Sequence, residues 1–433
     1  MLEILPDSAE RSDDGHLVIG GCDTTELAAR LGTPLLVFDR ATLEARSRSF
    51  ASALGPAQVC YAAKAFCNVA VFELLAELGL SLDVCTGGEL ATALAAGFPP
   101  ARLVMHGNNK SVAELQSARE VGVGRVVVDS FEEIERIADV GLETKLLIRV
   151  TPGVEAHTHE FVQTGQEDSK FGFSLHEGIA LEAIKRASQI PGCELVGLHA
   201  HIGSQIFELA AFELAAKRLA ALAAEAKREM GFDTEELDIG GGLGIAHTQD
   251  ELTPDPAEAV VRIRAHVVDA FRAGGLPVPE IMVEPGRAIV GSSMVTIYSV
   301  GTVKRIPGVR TYVSVDGGMS DNVRPALYGA RYEAFLANRM DAPEGPRVAV
   351  CGKHCESGDV LIKEVHLPDD VAPGDLLCIP ATGAYTYSMA SNYNRVPRPP
   401  VVMVQAGSAT VIAERETERD LLRLDRRLDG STL

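Results

Sequence analysis

The sequence has no block of clustered lysine and arginine: 40 basic residues stand against 60 acidic ones, a formal net charge of −20. Nucleic acids and anionic membranes are held through such clusters, so neither is an expected partner. Nor does any uninterrupted apolar run approach the roughly 18 residues that a membrane span needs. The opening "MLEILPDSAERSDDGH" lacks the basic end and apolar stretch of a secretory signal, and a cytoplasmic protein is expected. No internal repeat or low-complexity segment stands out. Cysteines at 22, 60, 67, 85, 193, 351, 355 and 378 lie mostly inside apolar runs, which suits reduced, packed thiols rather than a disulfide framework.

What remains is an ordinary globular composition, 46% apolar and 23% charged, over 433 residues, enough chain for two domains. From residue 58 to 287, short strand-like runs alternate with longer stretches of helical period. The strands are "QVCYAAKA", "SLDVCTG", "LVMHGN", "RVVVDS", "KLLIRVTP", "LVGLHAHIG", "ELDIGGG" and "EIMVEPGR". Eight strands with seven helices between them predict a (β/α)8 barrel of TIM type rather than an open doubly wound sheet. Lys64, Asp83, His106, Arg149, His201, Gly240 to Gly242 and Glu284 all close their strands, and barrel enzymes keep their active sites on that C-terminal face.

After Arg287 the strands follow one another without long helices, as in "SMVTIYSVGTVKRI", "RTYVSVDGG" and "DLLCIPATGAY", which predicts an all-β domain. "GHLVIGG" and "TPLLVFD", within the first forty residues, are expected to complete its sheet. The expected division is 1–40 joining the β domain, 41–287 the barrel and 288–433 the β domain. The charged stretch "ERETERDLLRLDRRLDG" reads as a helix or a frayed tail.

Several motifs carry chemistry. A lysine closing the apolar strand "VCYAAKA" is costly to bury. Alone it reads as a side chain snorkelling from the rim, whereas in suitable company a desolvated lysine becomes a nucleophile towards carbonyls. "DIGGG" at 238–242 ends in three glycines whose N–H groups can cradle a phosphate, with a tight turn as an equal alternative. It is not a dinucleotide fingerprint, because Ile245 stands where glycine or alanine is required. "EPGR" at 284–287 is either a salt-bridged turn or a pair of tools, Glu284 for a ring nitrogen that must stay protonated and Arg287 for an anionic group. His199 and His201 in "HAHIGS" share a strand face, and "HTH" spans 157–159. A metal-dependent barrel hydrolase would carry further His and Asp ligands at other strand ends, and "CGKHC" at 351–355 fits no common zinc spacing, so no metal is expected.

"YAAKA", "HGNNK", "SKFGF", "HIGSQI", "DIGGGLGI", "EPGR", "RPALYGA", "CESGD" and "GAYTYSMASNYN" follow one another from about residue 60 to 395. In that order they resemble the fold type III pyridoxal-phosphate decarboxylases, and within them the diaminopimelate decarboxylase family. The resemblance implies a cofactor, pyridoxal 5'-phosphate, anchored on Lys64. Asp83 would be among its binding residues, and His201 would stack on its ring. Glu284 would meet the ring nitrogen, while Ser204, Gly240, Gly241, Gly242 and Tyr385 would hold the phosphate. It further implies that Arg287, Arg324, Tyr328 and Tyr385 bind substrate, with Arg287, Arg324 and Tyr328 on its carboxylates. Cys355 would be a catalytic proton donor and Glu356 a partner for the distal ammonium. Both would enter from the neighbouring subunit of a homodimer with shared active sites.

The implied reaction is loss of CO2 from meso-2,6-diaminopimelate to give L-lysine. An ornithine, arginine or lysine decarboxylase is the nearest alternative, and an alanine racemase-like enzyme is more remote. Arg324 and Tyr328 favour a substrate with a second carboxylate. A non-catalytic carrier of the cofactor would be expected to have lost Lys64 or Cys355. The spacer between "HTHEFVQTG" and "SKFGF" is a candidate lid.

Overall fold

The computed structural model describes residues 4–154, 169–253 and 255–432. The chain divides into two compact units, one of Ala45–Ile245 with Thr253–Ile289, the other of Met1–Glu44, Ala246–Leu252 and Val290–Leu433. The barrel segment is thus interrupted by seven residues, 246–252, that belong to the other unit.

The first unit is the expected barrel. Its strands are β1 (Cys60–Ala62), β2 (Ser81–Val84), β3 (Leu103–Met105), β4 (Arg125–Val128), β5 (Lys145–Thr151), β6 (Glu194–His199), β7 (Glu236–Asp238) and β8 (Glu280–Met282). They pair in sequence order, all parallel. The seam between β8 and β1 is closed by a parallel bridge from Val59 to Val283. There Cys60 N donates to Val283 O at 2.8 Å, and Val283 N to Gln58 O at 3.0 Å. Inside, Cys60, Val104, Val127, Leu147, Val196 and Met282 form one apolar cluster, as the alternation of side chains along parallel strands requires. At the opposite face from the strand ends, Glu236 receives the fork of Arg125 at 2.6 and 2.9 Å and Lys145 at 3.1 Å.

The helices begin where the sequence offers caps. Asn68 opens α1 (Val69–Glu77), Thr86 opens α2 (Gly87–Ala95), Ser111 opens α3 (Val112–Val121) and Ser130 opens α4 (Phe131–Val140), each accepting from backbone N–H groups of the first turn. Then follow α5 (Ile179–Ala187), α6 (Ala210–Met230) and α7 (Pro256–Ala273). Gly122, Gly141 and Gly231 end α3, α4 and α6 in the left-handed conformation that favours glycine.

The second unit is built on the long strand Met294–Ile306. Its first half pairs with Leu35–Asp39 and Leu376–Ile379, its second with Arg310–Val315. "TPLLVFD" therefore completes the sheet, lying between Met294–Ile306 and Val401–Gln405. "GHLVIGG" does not join it as a strand: Leu17–Ile19 pairs with Glu10–Arg11 and Cys22–Asp23 in a small sheet of its own. Gly20 and Gly21, at φ 58° and 77°, turn the chain back after three residues. Leu17 and Ile19 still share one apolar core with Leu35, Val37, Val295 and Val402. The charged C-terminal stretch supplies a short helix, Glu418–Leu422. Among the described residues, no helix is long and apolar enough to cross a membrane. All eight cysteines are free thiols.

Candidate active site

The C-terminal ends of the barrel strands surround a cavity of about 420 Å³, whose walls include Lys64, His106, Arg149, His199, His201 and Glu284. Lys64 sits in the turn Ala63–Ala65 directly after β1, and its Nζ donates to Asp83 Oδ2 of β2 at 3.3 Å. Asp83 is almost fully buried while the lysine side chain is 41% exposed, so the ammonium reaches from a buried counter-charge into the open cavity.

Glu284, just past β8, is the electrostatic centre. His106 Nε2 approaches its Oε1 to 2.7 Å and His199 Nε2 to 3.3 Å, with the two imidazole rings edge to face at 4.9 Å. Neither approach has the angle of a hydrogen bond. Glu284 Oε1 and both ring nitrogens of His199 remain buried without a hydrogen-bond partner. Burial pushes the Glu284 carboxyl up, but His106 and His199 together hold it well below the usual carboxylate range. Asp238, coupled to it, goes the other way, as burial and the Glu284 charge raise it well above the usual value. Burial lowers His199 to about 4, so that ring is neutral.

Gly240, Gly241 and Gly242 follow β7. A Cβ on them would stand 2.4 Å from Ala200 O, 2.0 Å from Glu284 O and 2.3 Å from Gly203 O, so only glycine passes here. Gly240 N donates to Asp238 Oδ1 at 2.8 Å and Gly241 N to His201 Nδ1 at 3.2 Å. Burial, followed by the charge of Lys64, holds His201 well below its ordinary value, which leaves Nδ1 free to accept. Arg287 Nη2 donates to Ser204 Oγ at 3.1 Å. The barrel thus brings together Lys64, Asp83, His201, Ser204, Gly240 to Gly242, Glu284 and Arg287.

The remaining candidates lie in the β unit. Arg324 and Tyr328 are the two ends of one short helix, Arg324–Tyr328. Tyr385 follows the strand Leu376–Ile379, half-buried at φ 59°. Cys355 and Glu356 are exposed on the loop between Arg347–Cys351 and Val360–His366. Cys355 N donates to Asn394 Oδ1 at 3.1 Å, and the same oxygen lies 3.2 Å from His354 Nδ1. Cys351, by contrast, contacts Ser314 Oγ at 3.4 Å, so "CGKHC" gathers no common ligand point. "HTH" at 157–159 and the spacer read as a lid lie outside the described residues.

In the sequence His106 and Arg149 stand near strand ends with no role, His199 is only half of an H-x-H pair, and Asp238 is only part of "DIGGG". Their position is the signal: His199 and Asp238 close their strands, His106 follows one, and Arg149 lies two residues from the end of another. His106, His199 and Glu284 also bring three potential ligand atoms within 4.8 Å. We read them as a carboxylate braced by two imidazoles, because Asp238 and the glycine turn complete that arrangement.

The pyridoxal-dependent decarboxylase family model, pyridoxal binding domain, matches residues 40–291. The diaminopimelate decarboxylase of Bacillus subtilis is 49% identical over 426 residues, covering 96% of this chain and 97% of that protein. The chain belongs to the diaminopimelate decarboxylase family. The diaminopimelate decarboxylase of Mycobacterium tuberculosis is likewise 49% identical, over 98% of this chain and 97% of its own length. Among solved structures, the diaminopimelate decarboxylase of M. jannaschii in complex with L-lysine superposes with a TM-score of 0.89 at 33% identity, covering 99% of both chains. That of Helicobacter pylori, also with L-lysine, gives 0.85 at 32% identity over 93% of this chain and 99% of the other. A diaminopimelate decarboxylase uses pyridoxal phosphate, and the barrel residues fit that group. The buried Glu284 Oε1 has no hydrogen-bond donor of good angle among the described residues, and a protonated ring nitrogen carries such an N–H.

Proposed function

We infer that the chain decarboxylates meso-2,6-diaminopimelate to L-lysine and CO2 as a pyridoxal-phosphate-dependent carboxy-lyase. The observation that carries this reading is the set of groups around one cavity. They are the amine of Lys64, the ring of His201 and the carboxylate of Glu284, with the turn of three glycines packed against the Glu284 backbone.

The cofactor supplies an aldehyde that condenses with amines and a protonated ring that accepts the electron pair left when CO2 departs. Lys64 would hold the aldehyde between turnovers, with Asp83 beside its ammonium at 3.3 Å. Glu284 would keep the proton on the ring nitrogen, since an ionised carboxylate there favours the charged form. His201, neutral, would lie against the ring. Ser204, Arg287, the glycine turn Gly240 to Gly242 and Tyr385 would hold the phosphate, the Gly240 and Gly241 amides being engaged by Asp238 and His201. Arg324 and Tyr328 take the substrate carboxylate that is retained. Glu356 meets the distal ammonium, and the Cys355 thiol returns a proton to the carbon that lost CO2.

We extend the reading to a homodimer in which Cys355 and Glu356 serve the partner's site. Their exposure on a loop supports this, because a proton donor acting within its own dry site would be buried. A cytoplasmic location belongs to the same reading. The test of the whole is borohydride reduction of the holoenzyme followed by peptide mass analysis. The pyridoxyl adduct is expected on Lys64, and an adduct on Lys110 or Lys170 would overturn the assignment. An end-point assay of CO2 release should favour meso-diaminopimelate over L-lysine, L-ornithine and L-arginine.

A further inference from the structure

The guanidinium of Arg324 is a buried cation, in a residue only 6% exposed. Burying such a charge is costly unless hydrogen bonds or an opposite charge compensate it. Among the described residues the guanidinium has two hydrogen-bonding partners, neither of them a carboxylate. Nη1 stands 3.0 Å from His247 Nε2 and also donates to the Tyr332 hydroxyl. Nε is buried without a hydrogen-bond partner. The guanidinium carbon also lies 5.6 Å from the centroid of the Tyr332 ring. His247 and Tyr332 pack perpendicular to each other at 5.3 Å, and both are 4% exposed.

Since a guanidinium only donates, His247 must present a lone pair at Nε2, which puts its proton on Nδ1. That nitrogen is on the side of Glu251, whose Oε2 is 3.9 Å away and accepts from the His247 backbone N at 2.7 Å. His247 arrives on the segment Ala246–Leu252, the part of the chain that leaves the barrel unit directly after the glycine turn.

We propose that His247 and Tyr332 are positioning residues for Arg324. They fix the guanidinium through neutral acceptors, leave its charge and its Nε edge for a carboxylate, and so set the preference for substrates carrying a second carboxylate. This rests on the reading of Arg324 as the carboxylate-binding residue. Neutrality is the essential property. An acidic side chain at position 247 would hold Arg324 equally firmly, but would consume the charge that the substrate needs.

The probes are L-lysine and 1,5-diaminopentane, which differ by one carboxylate, used as competitive inhibitors of the holoenzyme. His247→Ala should raise the Ki of L-lysine about tenfold, the loss of a charge-assisted bond, while that of the diamine changes less than about twofold. KM for meso-diaminopimelate should rise with it, and kcat should stay within about threefold. His247→Gln, whose amide oxygen can accept, should restore most of the discrimination. His247→Glu should abolish more of it than alanine does, with the cofactor absorbance unchanged. Arg324→Ala separates the two levels of the idea. If it leaves the lysine-to-diamine ratio intact, the reading of Arg324 itself fails. If it collapses the ratio while His247→Ala and Tyr332→Phe leave it untouched, the positioning role alone is overturned.

Discussion

Glu284 keeps its charge in a buried place because two imidazoles stand against it, and this makes the charge rather than the shape of the side chain the thing to test. Glu284→Gln keeps the volume and removes the charge. We expect decarboxylation to slow by about 10²–10³-fold, the scale of losing one preorganised electrostatic contact, while the pyridoxyl adduct on Lys64 still forms. Single-turnover CO2 release measures it, and a near-normal rate would mean that another group holds the ring proton. His199 offers a second residue-level test. Its folded pKa of about 4 lies below the ordinary value of 6.5, so its contribution to stability is complete above pH 6.5 and is lost as pH falls from 6.5 towards 4. Within that window the unfolded chain binds the proton and the folded one does not. Urea unfolding of the apoenzyme at pH 7 and pH 5 should show a larger loss for wild type than for His199→Asn, by up to about 1.4 kcal/mol per pH unit.

At the scale of elements, Lys110 and Glu133 form an ion pair that no solvent reaches. Lys110 Nζ donates to Glu133 Oε1 at 2.6 Å, to Val127 O at 2.6 Å and to Gly107 O at 2.8 Å. Glu133 Oε2 in turn accepts from Asp129 N at 3.2 Å, so the loop after β3, the end of β4 and the first turn of α4 are tied at one point. Lys110→Met leaves a buried carboxylate unpaired and should cost about 3–5 kcal/mol. Adding Glu133→Gln should return part of it, read from urea midpoints at constant slope. An unchanged midpoint in Lys110→Met would show that the pair contributes specificity rather than stability.

The strands themselves were legible. Eight strand-like runs alternating with helical stretches announce a barrel, and the polar residues and glycines that close seven of them announce its working face. What the sequence could not express was pairing across long separations. "GHLVIGG" has the same apolar strand character as "TPLLVFD", yet two glycines with positive φ send it into a separate sheet. His247 follows a recognised motif, but its meaning depends on Arg324 and Tyr332, which lie some eighty residues further on. Asp238 likewise looks like one more strand residue until Glu284 is set beside it.

For the whole molecule, the proposed shared-site dimer makes a numerical prediction. Homodimers of Lys64→Ala and of Cys355→Ala should each be nearly inactive. After random exchange of equal amounts, about half of the dimers are mixed, and each has one site with both native residues, so activity should recover to about a quarter of wild type. Activity that stays at zero after proven exchange would place Cys355 within its own chain's site, or outside catalysis.

The seam of the barrel bears on how the protein comes into being. Lys64 stands just past the first strand and Glu284 just past the last, and the bridge between Val59 and Val283 makes those strands neighbours. A ribosome that has released β1 to β7 has therefore delivered Lys64, the glycine turn and His201, but not Glu284. Premature chains can form parallel strand pairs in order, yet none has a finished wall. The wall that Glu284 completes exists only once the eighth strand has emerged, while residues 290–433 of the other unit are still to follow.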